Sequence, residues 1–135
     1  MKPGTESKYK ILVVDDSQSI REVLAALLSL EGHLCESAAN GREAMEKVTQ
    51  AHFDIVITDV QMPEMDGITL TGELARHFSD LPVMIMTGQP DDSLVESARS
   101  AGAREILRKP FSISELVARL HRMLPAQEPT QEQRA

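Results

Sequence analysis

Four of the five stretches that read as strands stop at a side chain able to do chemistry. Residues 11–14 end at Asp15-Asp16, residues 55–58 at Asp59, residues 83–86 at Thr87, and residues 105–108 at Lys109. Asp59 is followed by Pro63 and then Asp66-Gly67, so the run before it reads as a strand that breaks into a loop. In an open parallel α/β sheet, ligands bind outside the carboxyl ends of the strands, where the loops diverge. Asp15, Asp16 and Asp59 would crowd several negative charges there, and without a cation at least one carboxyl would be driven to keep its proton. Hard carboxylate oxygens with neither His nor Cys nearby favour Mg2+, which takes one or two carboxylates and shares substrate phosphate. Thr87 adds a hydroxyl donor, and Lys109 a compact positive charge suited to a phosphoryl oxygen. Acid, metal, hydroxyl and ammonium make a phosphoryl-transfer site in which a carboxylate attacks to give an aspartyl phosphate.

The elements that must position these groups alternate in period. Ile11, Leu12, Val13 and Val14 form an unbroken apolar run, as a strand buried on both faces requires. From Ser19 the period becomes helical: Ile20, Val23, Leu24, Leu27 and Leu28 share a face, Ser19 and Glu22 fit a capping box, and Gly32 ends the helix. The pattern then repeats. A weaker strand over residues 33–38 leads to a helix opened by Asn40-Gly41, and a strand over residues 54–58 leads to a helix marked by Ile68, Leu70, Leu74 and Phe78. Pro82 starts a fourth strand, followed by a helix with Leu94, Val95, Ala98 and Ala101 that stops at Gly102. After the fifth strand, Ser112 and Glu115 form a second capping box, and Ile113, Leu116, Val117, Leu120 and Leu124 turn inward before Pro125. Five strands alternating with five helices imply a parallel sheet covered on both faces.

The bulk numbers suit one domain of 135 residues. A hydrophobic fraction of 41% and a charged fraction of 26% are ordinary for a soluble globular protein. The net charge of −7 argues against direct nucleic acid binding through phosphates. Cys35 alone cannot form an internal disulfide, and no run approaches the ~20 apolar residues of a membrane span, so a cytoplasmic protein with no membrane partner is expected. Residues 1–8 read as a flexible leader, residues 9–124 as the folded domain, and residues 125–135 as a disordered tail or truncated linker.

Over residues 9–124 the chain resembles the receiver domain of bacterial two-component response regulators, of which the chemotaxis response regulator is one. Five features in order carry the likeness: Asp15-Asp16; Asp59 with Met62-Pro63 and Met65-Asp66-Gly67; Thr87; Ala101-Gly102-Ala103; and Lys109-Pro110-Phe111. The resemblance implies a flavodoxin-like (βα)5 three-layer sandwich with strand order 2-1-3-4-5. It implies that Asp59 accepts phosphate from a sensor histidine kinase or phosphotransfer protein. Asp16, Asp59 and the Gln61 backbone carbonyl would hold Mg2+, with Asp15 acting through water. Thr87 and Lys109 would contact the phosphoryl group, Lys109-Pro110 would be cis, and Gln61 and Gln89 would tune phosphate lifetime. Phosphorylation would switch the face built by the fourth helix, fifth strand and fifth helix, controlling an unidentified output protein or a phosphorylation-dependent dimer. At the switch position, where many receivers carry Tyr or Phe, this chain has Ile106. Such a module catalyses its own phosphorylation and dephosphorylation but turns over no separate substrate.

Other readings stand beside this one. Asp66 and Asp91 suit helix starts better than ligands, and His33, His52, His77 and His121 lack metal spacing and are expected at the surface. Cys35 should pack as a small apolar group in the second strand, and the methionines should fill the core. Residues 99–122 carry six Arg or Lys against Glu105 and Glu115, which suggests that the output face docks an acidic surface. A Mg2+-dependent haloacid-dehalogenase-type phosphatase also uses Asp, Thr and Lys, but wants Asp-x-Asp after its first strand and usually a cap insertion. A receiver cut from a longer transcriptional or ATPase regulator would look the same as a single-domain protein.

Overall fold

A computed structural model describes residues 9–124. The leader at residues 1–8 and the tail from Pro125 onward lie outside the described residues. Strands and helices alternate as β1 Lys10–Val14, α1 Gln18–Leu30, β2 Leu34–Ala38, α2 Gly41–Gln50, β3 Ile55–Asp59, α3 Gly67–His77, β4 Val83–Thr87, α4 Asp92–Ala101, β5 Glu105–Arg108 and α5 Ile113–Met123. All pairings are parallel, in the order β2-β1-β3-β4-β5 that the resemblance implied. Val14 lies opposite Thr58, Asp59 opposite Met86 and Thr87 opposite Arg108, so the reactive strand ends line up along one edge.

The apolar runs explain which strands are central. In β3 and β4 every residue is buried, while edge strand β2 exposes Leu34 and Glu36. Successive side chains feed two cores. Leu12, Val14, Val56 and Ile85 pack with Ala44, Val48, Leu70, Leu74 and Ala98, so α2, α3 and α4 cover one face. Ile11, Val13, Ile57 and Met84 pack with Leu24, Leu28, Leu116 and Leu120, so α1 and α5 cover the other. Each fully buried Val, Leu, Ile or Met side chain among them contributes about 1.5–3 kcal/mol relative to exposure. Met62, Met84, Met86 and Met123 are buried, and half-buried Cys35 packs on the α1–α5 side, where burial pushes its thiol up to about 11.

Helix starts follow from side-chain caps. Asn40, Asp66 and Asp91 accept the backbone N–H groups of Glu43, Thr69 and Leu94, and Ser112 with Glu115 forms the expected reciprocal box. Gly102 closes α4 at φ 116°, a conformation that favours glycine.

Three expectations need correction. The cap of α1 is Ser17, not Ser19: the Ser17 hydroxyl accepts from the Ile20 N–H at 3.4 Å, while Glu22 receives the Gln18 amide instead. The inward stripe of α1 is also narrower than its periodicity, because only the side against the sheet is covered. Leu24 and Leu28 are buried, but Ile20 and Val23 are exposed and help line an apolar groove of about 490 Å3 with Pro110 and Phe111. Finally, His33 is buried rather than at the surface. Its Nδ1 accepts the Tyr9 backbone N–H at 3.2 Å and its ring lies against Tyr9, so a polar residue type fills a core position by satisfying a strand-end amide. His52, His77 and His121 are exposed as expected.

Candidate functional site

The site begins where β1 runs out. Asp15 stays in the sheet line by donating its N–H to the Ala38 carbonyl, and only 2% of it is exposed. Its Oδ1 accepts the Ser17 N–H at 2.9 Å, the turn that also starts α1, whereas its Oδ2 is buried with no partner. Burial raises the Asp15 carboxyl above its ordinary range against the lowering effect of the Ser17 bond; the charges of Asp59 and Asp16 add to the rise, and Lys109 opposes it. Asp16 is exposed, and the carboxylate oxygens of Asp15, Asp16 and Asp59 lie within 4.8 Å of one another. An unpartnered buried carboxylate oxygen beside two more acids, with no nitrogen or sulfur donor in the cluster, is a donor set that fits a hard divalent cation.

Asp59, the last residue of β3, is 8% exposed. Its backbone is held from below: a Cβ on Gly67 would come within 2.2 Å of the Asp59 carbonyl oxygen, so only glycine permits that approach. Lys109 Nζ reaches Asp59 Oδ1 at 2.9 Å. Lys109 is carried by the end of β5, with its backbone N–H on the Thr87 carbonyl at 2.8 Å and a cis bond to Pro110. The buried Thr87 hydroxyl accepts the Gln89 N–H at 3.1 Å, which leaves its own proton to donate. A pocket of about 630 Å3 opens over Asp59, lined also by Asp16, Gln61 and Met62.

Asp15, Asp16, Asp59 and Lys109 therefore come together as one cluster, with Thr87 held beside them through Lys109's backbone. Gln61 borders the pocket, and Gln89 meets Thr87 through its backbone. Ile106 is half-buried against the core beneath α4, and its carbonyl accepts Arg119 Nη1 at 2.6 Å. The basic stretch is only partly available to a partner. Arg119 and Arg122 pair with Glu105 at 3.2 and 2.9 Å and Lys109 with Asp59, while Arg99, Arg104 and Arg108 make no ion pair among the described residues. Two contributors escaped the sequence reading. Ser17 could have been found as an Asp-x-Ser turn, and Arg21, whose Nη1 donates to the Asp15 carbonyl at 2.8 Å, had no signal beyond its place in the first turns of α1.

A family model described as the response regulator receiver domain matches residues 11–121. The response regulator MprA of Mycolicibacterium vanbaalenii is 38% identical over 115 residues, covering 85% of this chain and 50% of that protein. MprA of Mycobacterium leprae is 37% identical over 120 residues, covering 89% and 53%. The chain spans about half the length of the curated relatives it matches. Among solved structures, a chemotaxis response regulator of Vibrio cholerae aligns with a TM-score of 0.84 and 34% identity over 87% of this chain and 99% of that one. TrrA of Thermotoga maritima, solved in complex with Mg2+ and BeF, aligns with a TM-score of 0.79 and 33% identity over 86% and 99%.

Proposed function

The chain belongs to the response regulator receiver family, and from that premise we propose that Asp59 is its phosphoacceptor. The observation that carries the proposal is Lys109 Nζ at 2.9 Å from Asp59 Oδ1, inside a cluster whose Asp15 Oδ2 is buried and unpartnered. One Asp59 carboxylate oxygen attacks the phosphorus of a phosphohistidine on a sensor kinase or phosphotransfer protein. A P–O bond forms as the P–N bond breaks, and the electron pair leaves on the imidazole nitrogen. Asp15, Asp16, Asp59 and the Gln61 carbonyl are the groups that would hold Mg2+. When bound, the ion supplies neutralising charge and a template for the phosphoryl oxygens. Lys109 stabilises negative charge on the transferred group, and the Thr87 hydroxyl donates to it. Gln61, which lines the pocket, and Gln89, whose backbone N–H meets the Thr87 hydroxyl, would orient or block an attacking water and so set phosphate lifetime.

The new charge of roughly −1.5 to −2 at Asp59 gives Thr87 and Lys109 fresh acceptors. Their movement is transmitted past Ile106 to the α4-β5-α5 face, which signals to an output protein or a second receiver. Because Ile106 has neither ring nor hydroxyl, this step works through packing alone. Coverage of about half of MprA favours one further reading, in which this chain is the receiver portion of a longer regulator.

Intact-mass spectrometry after incubation with acetyl phosphate and Mg2+ tests the assignment. A labile phosphoryl gain is expected in the wild type and absent in Asp59→Asn; a gain that survives in Asp59→Asn would overturn it.

A further inference from the structure

Asp16 poses a problem of orientation. Its carboxylate is exposed and makes no hydrogen bond or ion pair among the described residues, yet it lies within 4.8 Å of Asp15 and Asp59 oxygens. A free side chain on a loop would lose conformational entropy on closing around an ion, so a preformed site needs the backbone beneath it to be held. Asp15 is held at three points: its N–H on the Ala38 carbonyl at 3.1 Å, its Oδ1 by the Ser17 N–H at 2.9 Å, and its carbonyl oxygen by Arg21 Nη1 at 2.8 Å. The third matters most for Asp16. The peptide joining Asp15 to Asp16 is planar, so fixing the Asp15 carbonyl fixes the plane from which the Asp16 Cα and side chain depart.

Arg21 is well made for this. It lies half-buried near the start of α1, with its backbone N–H on the Ser17 carbonyl at 3.1 Å, and its guanidinium is a rigid, permanently charged donor. Its bond goes to a main-chain oxygen, and it forms no ion pair with Asp15, Asp16 or Asp59. It therefore steadies the acids without occupying any of their carboxylate oxygens.

We propose that Arg21 is a positioning residue for the Mg2+-binding acids, acting on Asp16 through the Asp15–Asp16 peptide. The proposal rests on the metal reading of the site given above. Its sign separates it from simple electrostatics. Removing a nearby positive charge should tighten cation binding, whereas losing the orientation of Asp16 should weaken it.

The test is Mg2+ binding by isothermal titration calorimetry, without phosphodonor, on the wild type, Arg21→Ala, Arg21→Gln, Asp16→Asn and the Arg21→Ala/Asp16→Asn double variant, with melting curves on the same samples. Arg21→Ala is expected to weaken Mg2+ binding about tenfold, the lower end of what support residues around a metal contribute. Arg21→Gln, which keeps a donor but drops the charge, should retain more affinity than Arg21→Ala. In the Asp16→Asn background the Arg21→Ala effect should largely vanish, because both act through one carboxylate. Unchanged or tighter binding by Arg21→Ala, or a full additive loss in the double variant, would overturn the positioning role. No Mg2+ binding by the wild type would instead overturn the metal reading on which it rests.

Discussion

Asp15 places a carboxyl where water scarcely reaches, with one oxygen bonded to Ser17 and the other unpartnered. Because burial raises its folded-state pKa above the ordinary 3.8, the folded protein holds this proton more tightly than the unfolded chain does. The resulting stability is fully present below the unfolded value and is lost as pH rises through the folded one. Asp15→Asn should therefore melt a few degrees higher than wild type at pH 7 in EDTA, with the advantage shrinking as pH falls toward 4. Melting curves across that range check it, and identical curves at pH 7 would contradict it. Gly67 is the second residue with a sharp requirement, since a Cβ there meets the Asp59 carbonyl oxygen at 2.2 Å and the Val60 Cα at 2.9 Å. Both neighbours are backbone, so Gly67→Ala should cost about 1–3 kcal/mol in urea denaturation and displace Asp59. A neutral change would mean that the β3–α3 junction yields more easily than its packing suggests.

Elements were legible in the sequence wherever period and punctuation agreed. β1, β3 and β4 announce themselves as unbroken apolar runs ending in polar chemistry, and Asn40, Asp66, Asp91 and Ser112 begin helices because their side chains satisfy orphan N–H groups. α1 was misread at its start because Ser17 and Ser19 both precede an apolar run, and what selects Ser17 is the Asp15 turn, a tertiary detail of the site. His33 was misplaced because residue type alone does not reveal a backbone donor awaiting it at Tyr9. At this scale α5 is tied down twice. Its start carries the Ser112–Glu115 box, and Arg119 and Arg122 bind Glu105, which is 13% exposed. Ser112→Ala should cost about 1 kcal/mol, measurable by chemical denaturation. A loss below a few tenths would show that packing of Leu116 and Leu120 alone sets that helix start.

For the whole molecule, the parallel order β2-β1-β3-β4-β5 is what turns separated acids and a lysine into one site. That convergence was legible because each reactive residue ends a strand or directly follows one. The supports were legible only in part: Gly67 showed as a loop break but not as the close approach to the Asp59 carbonyl, and Arg21 acts through a main-chain oxygen that leaves no trace in residue spacing. Three clustered acids in a chain of −7 also couple ion binding to global stability. Mg2+ at about a hundred times its dissociation constant should stabilise the fold by about 2.7 kcal/mol, read as a rise in Tm that NaCl of equal ionic strength does not reproduce and Asp16→Asn reduces. An equal rise in Asp16→Asn would place the ion elsewhere. The central claim, that this cluster makes Asp59 a Mg2+-dependent acceptor of phosphoryl groups, is tested most directly by borohydride trapping. Reduction of the acetyl phosphate-treated protein converts an aspartyl phosphate to homoserine, which peptide sequencing by mass spectrometry then locates. The account predicts homoserine at position 59 and nowhere else, and only when Mg2+ was present. Homoserine at another aspartate, or at position 59 in equal yield with EDTA, would contradict it.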